Sequence, residues 1–499
     1  MRRSRNYSKT ILLLAAFCAQ AAQAETLPWL DGVVDDPFNT QQKVSGLVAP
    51  NLKPDSCSGT LDFTHKLGFS DVVIAVLCHN PDTRGAYMTL SAQGATYATS
   101  YAGYLPTATG TLATSRATSY GPGIQQTLPE RSSDVALSMT LYDFGQREMK
   151  VDEAELALEA AGHTYNSTMQ GAIASAMQGY YALLTAQNAL SVAKETERYA
   201  KESYDAAELR HKIGQVPLAD VLQAKGAFST QLLGTMQAQN QLALAQSSLA
   251  QLMGQSADTP VAVQEVDDKS MEKEPFVDEV RALMDHAKAE RHDLAASRLG
   301  VEQSEVALKA LKRSDLATIS ATANMDVGNP GSLSPFNKGT DARNHAIGVS
   351  VTIPIFTGFA NAYNVKAAEE TLEAQKVGLE KSELQVEQDV WTSWHNYQTA
   401  KQSWKTSQDE LESATQLRDV ALGRYKEGLG TILDVLNAET QYSSALQSDL
   451  QSRYNVYASR VDLVRAVGTL DLTSLALQTG DYTSATKELK LEPGSYETH

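Results

Sequence analysis

The chain has only three cysteines in 499 residues. None of their spacings is C-x-x-C and no second ligand pair follows, so thiol redox and zinc-finger chemistry are excluded. Apart from an apolar run between Ile11 and Ala19, no stretch approaches the roughly 18 apolar residues a transmembrane helix requires. Positive charge is scarce: 42 Lys and Arg stand against 59 Asp and Glu, a formal net charge of −17. A chain this acidic lacks the basic patches that nucleic acid and anionic lipid surfaces demand, so neither is an expected partner. G-x-S-x-G, H-E-x-x-H and P-loop patterns are missing. The nine histidines are scattered, and His286 and His292, six apart, do not share a helix face. No enzyme activity, cofactor or metal centre is therefore expected.

What is present begins with an export signal. Arg2, Arg3, Arg5 and Lys9 precede the apolar run, and Ala22-Gln23-Ala24 reads as a cleavage site, giving a signal peptide over 1–24. Its removal takes four positive charges from −17 and leaves −21. A lipid anchor on Cys18 is disfavoured because bulky Phe17 precedes it. Outside the cytoplasm, the remaining Cys57 and Cys78 are expected to form a structural disulfide.

Proline is absent from Pro129 to Pro217 and again from Pro354 to Pro493. Both intervals are rich in Ala, Gln, Glu, Leu and Lys, so very long helices are expected. Val390, Tyr397, Trp404 and Leu411 recur every seven residues, a coiled-coil-like seam. A helix of some 60 residues would be about 90 Å long. Four segments instead alternate with period 2. They centre on Ala108–Leu112, Val135–Leu141, Ala317–Met325 and Ile347–Ile355. Such segments are the pattern of membrane β-strands, apolar outward and polar toward a lumen, although each alone would suit a soluble sheet. They pair as two hairpins, about 106–142 and 316–356. The Gly/Pro/Ser-rich links 120–134 and 328–344 are expected to be loops.

The chain also repeats itself. RHKIGQVPLADVLQAK at 210–225 returns at 424–439 as RYKEGLGTILDVLNAE, 214 residues on. Leu141-Tyr142-Asp143-Phe144 falls on Ile355-Phe356-Thr357-Gly358 at the same offset. Each half thus reads helix, hairpin, long helix, phrase, helix. The expected divisions are an N-terminal extension over 25–56, a first repeat over 57–254, an insertion over 255–290, a second repeat over 291–469 and a C-terminal segment over 470–499. Four strands do not close a barrel, and an open edge is not tolerated in lipid, so two or more chains must share one. Two non-channel alternatives stay open: a periplasmic adaptor-type coiled-coil protein, and a trimeric adhesin stalk.

The ordered set of motifs resembles the TolC family of outer-membrane channels. It is carried by Leu-Tyr-Asp-Phe-Gly at 141–145, Ile-Pro-Ile-Phe-Thr-Gly at 353–358, Asn80-Pro-Asp-Thr-Arg84, Tyr104-Leu-Pro106, and the phrases beginning at Gly214 and Gly428. Cys57 and Cys78, beside Cys-His-Asn-Pro, further resemble the CyaE-type branch associated with type I secretion. The resemblance implies an α+β membrane protein: a homotrimer with a shared twelve-stranded β-barrel in outer-membrane lipid, standing on a long α-helical barrel in the periplasm. It further implies an equatorial belt built from 255–290 and 470–490. The implied partners are a periplasmic adaptor (membrane fusion protein) and an inner-membrane ABC or RND pump.

The repeated phrase has a local explanation and a functional one. Gly214 and Gly428 suit helix C-caps, Pro217 suits the first position of a following helix, and Thr431-x-x-Asp434 reads as a capping box. The resemblance adds that Asp434 matches an acidic ring at the periplasmic aperture. Asn437 stands where a second acid is common, Gly430 where a basic partner can occur, and Tyr425 where an aromatic helps hold the tip closed. The turns around Gly214, Pro217 and Gly428 are then the implied adaptor contacts.

Overall fold

The computed structural model describes residues 36–48, 63, 65–121, 124–265, 279–329 and 342–470. The signal peptide, Cys57 and the segment after 470 lie outside the described residues. The elements run α1 (Thr40–Leu47), α2 (Phe69–His79), α3 (Pro81–Tyr101), β1 (Thr107–Gly121), β2 (Ile124–Tyr142), α4 (Gln146–Lys212), α5 (Leu218–Leu252), α6 (Val280–Glu290), α7 (His292–Lys312), β3 (Thr318–Asn329), β4 (Ala342–Thr352), α8 (Ala360–Lys426) and α9 (Ile432–Val467).

The duplication is visible element by element. Both α4 and α8 have 67 residues, about 100 Å at 1.5 Å per residue. Each is launched from its strand by two successive residues in the left-handed region. These are Phe144 (φ 54°) and Gly145 (φ 84°) in one repeat, Gly358 (φ 64°) and Phe359 (φ 62°) in the other. Such a turn favours glycine, and each repeat places one there, at alternate positions.

The seven-residue seam of α8 is real and longer than expected. Val390 and Tyr397 are buried, and the same register continues through Trp404, Leu411 and Arg418 to Tyr425. The alternate seam positions shrink toward the end of the helix, through Ser407, Ala414 and Ala421, all buried. Small residues there let α9 lie close against α8. Elsewhere the core is built by α2, α3 and α4 around Val72, Leu90, Leu158 and Leu183. A second cluster around Val390, Leu294 and Leu463 ties α6 and α7 to α8 and α9.

The sheet is antiparallel in the order β1-β2-β3-β4. Its register sorts the faces. Ala108, Leu137, Ala323 and Ile347 form one cross-strand row, and Thr111, Asp134, Asp326 and Asn344 another, on opposite faces. The apolar face is bare: Ile347 is 88% and Val349 67% exposed. Among the described residues, neither β1 nor β4 has an outer partner.

One expectation fails here. The stretch 120–134 is paired strand almost throughout, with Arg116 opposite Pro129 and Gly121 opposite Ile124. Among the described residues, β2 from Ile124 to Glu130 pairs with β1, and a strand carries a proline where the N–H it lacks does not face a partner. The second link is shorter than expected, since Gly328 and Asn329 belong to β3 and Ala342 to Asn344 to β4; residues 330–341 lie outside the described residues.

The face assignment predicts an asymmetry between neighbouring residues. Val349→Asp on the apolar face is expected to cost insertion free energy, by less than the roughly 2–4 kcal/mol that an Arg or Lys costs at the bilayer midplane, and to deplete the chain from the membrane fraction. Ser350→Asp, one residue away on the polar face, should leave it there; immunoblotting of fractionated cells reads both.

Candidate functional site at the helical tip

The two repeated phrases, 214 residues apart in sequence, meet at one end of the molecule. Each closes a helical hairpin by the same device. At the α4 end, Gly214 adopts φ +78° and the Gln215 N–H donates to the Arg210 carbonyl at 2.9 Å. At the α8 end, Gly428 adopts φ +73° and the Leu429 N–H donates to the Arg424 carbonyl at 2.8 Å. These are Schellman turns, and the left-handed residue they require explains both glycines. Pro217 occupies the N-cap of α5, one residue before the position expected, and offers no side-chain cap.

The second turn is better capped than the first. The Thr431 N–H donates to Asp434 Oδ2 at 2.9 Å, its hydroxyl donates to the same oxygen at 2.8 Å, and the Asp434 N–H returns to Thr431 Oγ1 at 3.2 Å. The Thr431 backbone N–H, then its hydroxyl, hold the Asp434 carboxyl below the ordinary carboxylate range, with Arg424 adding a smaller pull. The carboxylate is nonetheless exposed, and Asn437 is exposed one turn further on. Gly430 donates its N–H to the Arg424 carbonyl. A Cβ there would press to 3.3 Å on both Arg424 Cβ and the Tyr425 nitrogen, so the turn itself selects glycine.

Tyr425 is the pin of the tip. The residue is 7% exposed and, on α8, packs with Ala207 of α4, Val221 and Ala224 of α5 and Ile432 and Val435 of α9, so all four long helices meet at it. Arg210 of α4 lies over its face, guanidinium carbon 4.3 Å from the ring centroid, and Nη1 donates to its carbonyl at 3.4 Å. The Tyr425 hydroxyl is buried without a hydrogen-bond partner. Within the chain the contact is therefore aromatic packing and cation–π attraction.

Nearer mid-helix, the two hairpins are stitched again. Arg418 stacks 4.0 Å from the Tyr442 centroid and 5.8 Å from that of Tyr199. Ser203 donates to Glu439 at 3.3 Å. Burial raises the Glu439 carboxyl, opposed by the Ser203 hydrogen bond. A cavity of about 20 Å³ lies between these groups, room for one water. Sequence reasoning missed Arg210, Arg418 and Glu439, because Tyr425, Tyr199 and Ser203, which they meet, sit in the other repeat. Of the expected disulfide, Cys78 is oxidised to a disulfide. Around the tip Leu209, Ile213, Leu222, Leu429 and Leu433 all stand exposed, Leu429 at 74%.

Long paired hairpins, a four-stranded sheet and a twofold repeat are a shared pattern. The model of the outer membrane efflux protein family matches residues 72–255 and 283–469. The chain belongs to the outer membrane efflux protein family. Among relatives, it is 24% identical over 451 residues to protein CyaE of Bordetella pertussis, covering 88% of this chain and 92% of that one. It is 25% identical over 349 residues to the outer membrane protein TolC of Escherichia coli, covering 68% and 70%. In fold it is similar to the Campylobacter jejuni CmeC outer membrane channel. The TM-score there is 0.69 at 18% identity, over 84% of this chain and 90% of that one. As an outer membrane efflux protein, it contributes its sheet to a membrane β-barrel and its long hairpins to a periplasmic helical barrel.

The tip geometry separates ring from hydroxyl at Tyr425. Tyr425→Phe is expected to leave thermal stability unchanged or slightly raised, since it removes a buried unpaired polar atom. Tyr425→Ala should cost about 3 kcal/mol by opening a cavity between the hairpins, read as a lowered melting temperature of the detergent-solubilised protein.

Proposed function

We propose that three copies form one duct: a passive outer-membrane exit for an export machine whose energy comes from an inner-membrane ABC or RND pump. The observation that carries this is the sheet, which has two unpartnered edges and one bare apolar face. Three such sheets supply twelve strands, enough to close a barrel in lipid. A periplasmic adaptor docks on the turns around Gly214, Pro217 and Gly428, where the exposed leucines offer apolar surface. The chain performs no chemistry of its own on the cargo.

Asp434 lines the aperture in this reading. Its capping bonds fix the carboxylate without neutralising it, so three copies brought together create a cation-attracting ring. With Asn437 one turn on in place of a second acid, the ring holds three carboxylates. The cap is present above the ordinary aspartate value and is lost only as pH falls through its lowered native value, so the ring stays charged throughout the neutral range. In planar bilayers, Asp434→Ala should weaken block of single-channel current by multivalent cations. Unchanged block would remove Asp434 from the aperture.

For cargo, the cysteine-bearing resemblance to the CyaE-type branch favours secretion of a protein over efflux of small molecules. Deleting the gene should then abolish one secreted protein and leave susceptibility to dyes, detergents and antibiotics unchanged. Broad sensitisation with an intact secretome would reverse that assignment and make the duct a drug-efflux exit.

A further inference from the structure

His292, set aside on sequence spacing, finds a partner elsewhere. It is the first residue of α7, and its Nδ1 lies 3.1 Å from Nδ1 of His163 on α4, ring centroids 5.3 Å apart. Both side chains are half-buried. The two rings therefore join the first repeat to the α6–α7 junction of the second.

We propose that His163 and His292 form a two-point seat for a borderline-soft divalent cation such as Cu²⁺, Ni²⁺ or Zn²⁺. Both Nδ1 atoms are ligands, and water completes the sphere. Two imidazole nitrogens at about 2.0–2.1 Å from one ion, subtending about 90–109°, stand about 2.9–3.4 Å apart. The observed separation falls in that window. Among the described residues no group of three or more His, Cys, Asp or Glu side chains could hold a metal ion, so the protein supplies two ligands only.

Without metal, the same distance is spanned by one N–H···N hydrogen bond, one ring donating and the other accepting. Moving the donor's proton from Nδ1 to Nε2 frees both lone pairs at no change in charge. The broad χ2 wells of histidine let the rings turn them toward a common point.

The surrounding charges favour a cation. Glu290 and Asp293 both place negative potential on His292. The nearby Arg291 is committed elsewhere: Nη2 and Nε bond Asp293 at 2.6 and 3.0 Å, and Nη1 bonds Asp389 at 3.0 Å. Asp293 is correspondingly occupied by Arg291 and the Leu294 N–H, which leaves the histidines as the free donors. A bound ion would pin α4 against the start of α7.

The test titrates untagged, detergent-purified full-length protein with Cu²⁺ and records its electron paramagnetic resonance. Nitrogen hyperfine structure from two imidazoles is expected. His163→Gln and His292→Gln should each weaken the tightest site by roughly tenfold or more, and in the wild type alone Zn²⁺ should raise the melting temperature. Melting of the metal-free variants checks that they fold. Unchanged Cu²⁺ affinity in both variants, or hyperfine structure from a single nitrogen, would overturn the seat and leave the pair as a hydrogen bond between helices.

Discussion

Everything in this molecule follows from an edge. A four-stranded sheet leaves a row of N–H and C=O groups on β1 and another on β4. In a hydrocarbon medium each of those groups costs several kcal/mol if unpaired. Water cannot satisfy them there, and among the described residues no further strand pairs with them. The cross-strand rows settle which way the sheet faces, with leucine, isoleucine and valine on one side and threonine, asparagine and aspartate on the other. Closure by further copies resolves edge and face together, and the helices below inherit the symmetry that the barrel imposes.

The helical part meets a different constraint, which is that two 67-residue rods must stay in register without a globular core along their length. The seam does this with a graded set of side chains. Large residues at Val390, Tyr397 and Trp404 fill the wide region, and Ser407, Ala414 and Ala421 bring the helices close near the turn. Toward the turns, aromatic–cation contacts join the two hairpins, first Arg418 with Tyr199 and then Arg210 with Tyr425. The tip is thus held by interactions that are individually modest and easily exchanged. That suits a part of the molecule on which an opening motion would be centred.

Much of this was legible in the sequence, for identifiable reasons. Long proline-free intervals, a seven-residue seam and period-2 alternation are local signals, and each became the element it indicated. The twofold repeat was legible because both halves kept the same turn chemistry, a left-handed glycine followed by an aspartate in the next helix. Pro129 misled, because a proline inside a stretch rich in glycine, proline and serine reads as a loop, whereas the pairing with β1 runs straight through it. Tyr425 was singled out as an aromatic at the tip, and its ring packs among all four long helices. Arg210 with Tyr425, and His163 with His292, are 215 and 129 residues apart. No periodicity within a helix announces such pairs; only the packing of one repeat on the other creates them.

The equal length of α4 and α8 carries a consequence for how such a chain can vary. Each residue advances a helix by about 100° of rotation and 1.5 Å of height. One residue deleted from α8 alone would turn Tyr425 and Asp434 about a quarter-turn around the rod relative to everything upstream, and would leave the two turns at different depths. The repeats are in this sense a pair of rulers cut to one mark. A whole heptad inserted in one long helix would keep the seam's facing, but only an insertion matched in the other keeps the two turns at one depth.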